Sequence, residues 1–127
     1  MALPVTSKAT AYDLAIVQGS TLTRVFQVQD TNGTIIDLLG VTAAAKIRDA
    51  FTGSVIVTLT CPVVTGASST VTVTMTSAAT AALTVPAGTP ADVRVATIGV
   101  WDLELTDGTN TYRFAEGVVS LSREATY

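Results

Sequence analysis

Histidine is absent from the 127 residues of this chain, and cysteine occurs only at Cys61. Without histidine there is no imidazole base, no imidazole metal ligand and no Ser–His or Cys–His pair. A single cysteine excludes an internal disulfide. In the run Thr60-Cys61-Pro62-Val63 it reads as a strand-edge core residue rather than a nucleophile. Charge is scarce too. Asp, Glu, Lys and Arg make up 13% of the chain, against roughly a quarter of an average soluble protein. The formal net charge is −3, and the seven basic residues, Lys8, Arg24, Lys46, Arg48, Arg94, Arg113 and Arg123, are scattered. Only Lys46 and Arg48 lie close together, on one strand face, so the basic stripe that phosphate backbones require is missing and nucleic acid is not an expected partner. No apolar run approaches the ~20 residues of a membrane helix, so no membrane association is expected. The start Met1-Ala2-Leu3-Pro4 has no basic region ahead of an apolar stretch, and no secretion signal is read there.

What the chain does have is apolar residues, at 48%, which argues against disorder, and a dominant period of two. Tyr12, Leu14 and Ile16 alternate before Gln18-Gly19-Ser20 turns the chain. Leu22, Phe26 and Val28 share a face that Arg24 interrupts. Asp30-Thr31-Asn32-Gly33 is a tight-turn signal, because Asn-Gly adopts positive φ readily. Val41, Ala43, Ala45 and Ile47 then take one face, and Thr42, Ala44, Lys46 and Arg48 the other. Asp49 to Gly53 is a loop, Val55, Val57 and Leu59 alternate, and Gly66 to Ser69 turns into the β-branched run Thr70 to Thr76. A single helical turn is expected over Ala78 to Leu83, capped by Ser77. Pro86 to Pro90 is a loop. A long hairpin closes the chain, with Trp101, Leu103 and Leu105 inward, Asp102 and Glu104 outward, and a bulge expected at Glu116-Gly117. Seven or so short strands imply an all-β, antiparallel β-sandwich of the immunoglobulin-like kind with one short crossover helix. Residues 1–10 read as an N-terminal arm, 11–127 as a single β-sandwich domain, and Arg123 to Tyr127 as a fraying tail.

The candidates for chemistry are few. Asp102 and Glu104, at i and i+2 on one strand face and roughly 7 Å apart, have the pairing of a hydrolase, but a solvated face beside Arg113 explains them equally. Asp30 to Gly33 opens like a calcium loop and then lacks the later ligands. The isolated glycines form no phosphate cradle. Trp101 is either a sugar platform or, from its phase in the strand, the central plug of the sandwich. No catalytic, cofactor-binding or metal-binding residue is therefore expected, and the chain is not read as an enzyme.

Several segments together carry a resemblance. These are Asp13-Leu14-Ala15-Ile16-Val17-Gln18-Gly19-Ser20, Asp30-Thr31-Asn32-Gly33, Asp37-Leu38-Leu39-Gly40, Ile47-Arg48, Ser77 to Leu83, Gly99 to Asp107 and Glu116 to Ser122. The set resembles the N-terminal domain of phage baseplate upper proteins and many small virion proteins of tailed bacteriophages. It departs at Leu39, where that family carries a small polar residue, and at Trp101, where it carries Tyr. The resemblance implies a virion structural protein, made in the host cytoplasm, that acts as a tail, baseplate or fibre adaptor domain. The alternative is a capsid decoration protein, and a more distant one is a carbohydrate-binding module using Trp101 or Tyr112. The implied partners are other virion proteins, whether tail, baseplate, fibre or capsid subunits, or further copies of the chain. The arm 1–10, the loop Pro86 to Asp92 and the Ala-rich strand Val41 to Ile47 are the expected contact regions.

Overall fold

The computed structural model describes residues 10–30 and 32–124. The alternating segments become β1 (Thr10–Ala11), β2 (Leu14–Val17), β3 (Leu22–Phe26), β4 (Thr42–Arg48), β5 (Val55–Leu59), β6 (Val63–Val64), β7 (Thr70–Met75), β8 (Val95–Thr106) and β9 (Thr111–Ser122). The helix α1 (Ser77–Ala81) lies between β7 and β8. The larger sheet runs β1-β9-β8-β4-β5, with β2 following β1 along the same edge of β9. Both of these first strands pair with β9 in parallel, and every other pairing is antiparallel. The smaller sheet is β3-β7-β6. The result is a mostly β, sandwich-like fold of a six-stranded and a three-stranded sheet with one short helix.

Burial follows the period of two. Leu14 and Ile16 of β2, Val71 and Val73 of β7, and Trp101, Leu103 and Leu105 of β8 are sealed from solvent. Each such aliphatic side chain contributes about 1.5–3 kcal/mol relative to exposure. Trp101 is only 1% exposed. It packs against Phe26 and Tyr12, with centroids at 6.1 and 6.3 Å, and its indole Nε1 donates to the Tyr12 carbonyl at 2.6 Å. It is the plug between the sheets.

Three expectations shift. The bulge of β9 is at Phe114, not Glu116-Gly117: Asp102 pairs Glu116 and Trp101 pairs Gly117 in register, whereas the register slips between Leu103–Ala115 and Glu104–Arg113. The inserted residue moves the inward phase from Tyr112 to Ala115, Val119 and Leu121, and Phe114 also packs on the core, in a T-shaped contact with Phe26 at 6.2 Å between centroids. The helix cap is Thr76 rather than Ser77, its Oγ1 accepting the Ala79 N–H at 3.1 Å. The tail does not fray at Arg123, whose N–H bonds the Arg94 carbonyl at 2.8 Å and whose guanidinium donates to the Pro90 and Val93 carbonyls. Thr10, the last residue of the expected arm, pairs with Ala115 in β1; residues 1–9, like 125–127, fall outside the described residues.

The turns are built by carboxylates. Asp30 Oδ1 accepts from Asn32 and Thr34, and Asp107 Oδ1 from Thr109 and Asn110. Asp37 Oδ1 accepts from Leu39 in its own turn and from Gly66 in a distant one, at 3.0 and 2.9 Å. The Gly66 amide first, then the Leu39 amide, hold its carboxyl below the usual aspartate value, with a smaller contribution from Ser69 and against some desolvation. At the corner Leu38-Leu39-Gly40-Val41 the Val41 N–H closes on the Leu38 carbonyl, and Gly40 has φ 80°. That left-handed backbone explains the glycine.

Candidate binding groove on the outer sheet face

The outer face of the larger sheet gathers a cluster of charged side chains, because the strand period and the pairing register fix which side chains meet there. Across β4, β8 and β9, one row is Ala44, Glu104 and Arg113, and the next is Lys46, Asp102 and Glu116. Lys46 and Arg48 do share this face, as the sequence indicates. Arg113 Nε lies 3.3 Å from Asp102 Oδ2, a diagonal pair exposed enough to contribute at most about 1 kcal/mol. The side chains of Lys46 and Glu104 have no hydrogen-bond or ion-pair partner among the described residues.

The face is not flat. There is a depression of about 250 Å³, lined by Ala44, Ala45, Lys46, Arg48, Asp102, Glu104, Arg113 and Phe51. The ring is held there by its loop. Arg48 Nη1 donates to the Gly53 carbonyl at 2.9 Å, Gly53 N–H closes on the Ala50 carbonyl, and Asp49 N–H bonds the Ser54 carbonyl. A Cβ at Gly53 would overlap the Asp49 carboxylate, so glycine is what lets that side chain fold over the turn. Phe51 remains 49% exposed.

The carboxylates Asp102 and Glu104 are thus side by side as their spacing indicates, but Asp102 is paired with Arg113. Trp101, on the opposite face of the same strand, is buried and presents no ring face to a ligand. Tyr112 is half-buried against the core. Cys61 follows the end of β5, half-buried, and desolvation pushes its thiol up to about 11 despite a hydrogen bond from Ala45. Thiolate chemistry at neutral pH is correspondingly suppressed. The Asp30 turn spends its carboxylate on its own backbone. Among the described residues no group of three or more Cys, Asp or Glu side chains could hold a metal ion, and no helix is long and apolar enough to cross a membrane.

Phe51 was not singled out by the sequence, where it is one aromatic in a loop. The only available signal was its distance of three residues from Arg48, and nothing in the periodicity says that the loop folds back over β4. Comparison with protein-family models and with curated proteins finds no match.

Proposed function

We propose that this chain is a non-catalytic structural domain of a bacteriophage virion, an immunoglobulin-like sandwich serving as a tail, baseplate or fibre adaptor. The observation that carries the reading is the outer face of the smaller sheet. Its outward positions are Thr23 and Val25 on β3, Thr70, Thr72 and Thr74 on β7, and Val64 on β6, brought into register by the pairings Thr23–Thr74, Val25–Thr72 and Val64–Thr70. No charged side chain is among them. Val25 and Val64 are 60% and 59% exposed. An uncharged face of threonine and valine loses little on desolvation, which suits burial against a neighbouring subunit.

The motifs that resemble phage baseplate upper proteins support the reading because each has an identifiable part in the fold. Gln18 bridges the end of the helical segment to the C-terminal stretch, donating to the Leu83 carbonyl at 2.9 Å and accepting from Glu124 N–H at 3.2 Å. Gly19 N–H donates to Thr80 Oγ1 at 3.1 Å. Asp37 ties two turns together. The shared pattern is that of a scaffold, and a scaffold transfers architecture more directly than role. The virion assignment therefore needs its own test. Electron microscopy of particles carrying a tagged copy of the chain should show label at the tail tip or fibre base. Label spread over the capsid shell would replace the adaptor reading with decoration, and particles without label would remove both.

A further inference from the structure

We propose that the groove between Phe51 and Glu104 is a binding site for a neutral polyhydroxylated ring, a single pyranose unit of a glycan. This goes beyond the structural role above and does not depend on it. The groove's mixed charges disfavour a simple anion or cation. Lys46, Arg48 and Arg113 stand among Asp102 and Glu104 around one depression. A phosphate or sulfate would meet the two carboxylates, and a cation would meet the three bases. A ring of hydroxyl groups satisfies both, because each hydroxyl donates to a carboxylate oxygen and accepts from an ammonium or guanidinium.

The two groups without internal partners, Lys46 and Glu104, sit on adjacent strands and diagonal rows, since Ala44 is opposite Glu104 and Lys46 is opposite Asp102. The Lys46 ammonium is a donor and the Glu104 carboxylate an acceptor, and both line the depression without being tied up in the fold. Phe51 supplies the apolar surface that the C–H face of a pyranose stacks on, held by the Arg48–Gly53 hydrogen bond. At about 250 Å³ the groove is just below the roughly 300–1,000 Å³ of drug-sized sites, which suits one sugar ring.

The test is a chemical-shift titration of the isotope-labelled whole chain with the methyl glycosides of glucose, galactose and N-acetylglucosamine, and with glycine and inorganic phosphate as zwitterionic and anionic probes. At least one glycoside should produce saturable, millimolar-range shifts at Ala44, Phe51 and Glu104. Phe51→Ala and Glu104→Ala should each weaken that binding by about tenfold, with circular dichroism and the urea midpoint unchanged. The proposal is overturned if no glycoside saturates, if the shifts map away from the groove, if both variants keep full affinity, or if glycine or phosphate binds where the glycosides do not.

Discussion

Replacing Gly117 with alanine places a methyl group where the backbone of Tyr12 already runs. A Cβ at Gly117 would overlap the Tyr12 carbonyl oxygen and lie 2.6 Å from Asp13 Oδ1 and 2.7 Å from the Tyr12 carbonyl carbon. Two of these three atoms are backbone, so relief requires the segment joining β1 to β2 to move away from β9. Three hydrogen bonds hold it there: Tyr12 N–H to Glu116 at 2.8 Å, Val118 N–H to Asp13 Oδ1 at 2.9 Å, and Trp101 Nε1 to the Tyr12 carbonyl at 2.6 Å. At about 1 kcal/mol each, their loss costs about 3 kcal/mol, with strain of similar order if the edge stays in place. Urea unfolding followed by emission of the single tryptophan, Trp101, reads the loss directly. A double-mutant cycle then separates mechanisms: Asp13→Ala should cost much less in the Gly117→Ala background than alone, because the bond it removes is already broken. A Gly117→Ala variant within about 0.5 kcal/mol of the parent, a change typical of neutral surface sites, would refute the claim that this edge is pinned at one glycine.

Three further outcomes follow from single residues. Thr80 is fully buried and its hydroxyl serves the Gly19 N–H and the Ser20 carbonyl at 3.1 and 2.8 Å, so Thr80→Val should cost about 1–3 kcal/mol in urea unfolding through the groups left unpaired. Cys61, with its thiol at about 11 against an ordinary 9.0, should react with iodoacetamide at pH 8 about a hundredfold more slowly than a free thiol, since the thiolate is the nucleophile; equal rates would contradict its burial. Asp37 is held below its ordinary value by the Gly66 and Leu39 amides. A depressed folded-state value gives stability that is complete above the unfolded value of about 3.9 and is lost as pH falls through the folded one. Asp37→Asn should therefore flatten the acid limb of the stability–pH curve, and an unchanged limb would count against the two-turn tie.

The β-layout was legible because β4 and the Gly99 to Leu105 stretch of β8 alternate, so Ile47, Trp101 and Leu103 could be placed inward without knowing any partner. Asn32-Gly33 and Gly40 marked turns by their own backbone chemistry. What escaped was everything set by pairing rather than by pattern. The bulge at Phe114 depends on how β9 slides against β8: the sequence shows that the inward phase changes between Phe114 and Val119, but not at which residue. The parallel docking of β1 and β2 on β9 leaves no trace in hydrophobicity, though Gly117 records it as a missing side chain. The strand β6 is two residues long, too short for any period to announce. The groove was half legible: Lys46, Asp102, Glu104 and Arg113 fall on one face by counting, but Phe51 reaches them only through the fold of its loop.

The proposed virion role is the central claim, and it is tested most directly by quantitative mass spectrometry of virus particles purified from a source whose genome encodes this chain. The chain should be retained through a high-salt wash, which screens adventitious ionic contacts but leaves an uncharged interface intact, at a stoichiometry matching the tail or baseplate subunits. Its absence from washed particles, with abundant free protein in the lysate, would contradict the claim outright.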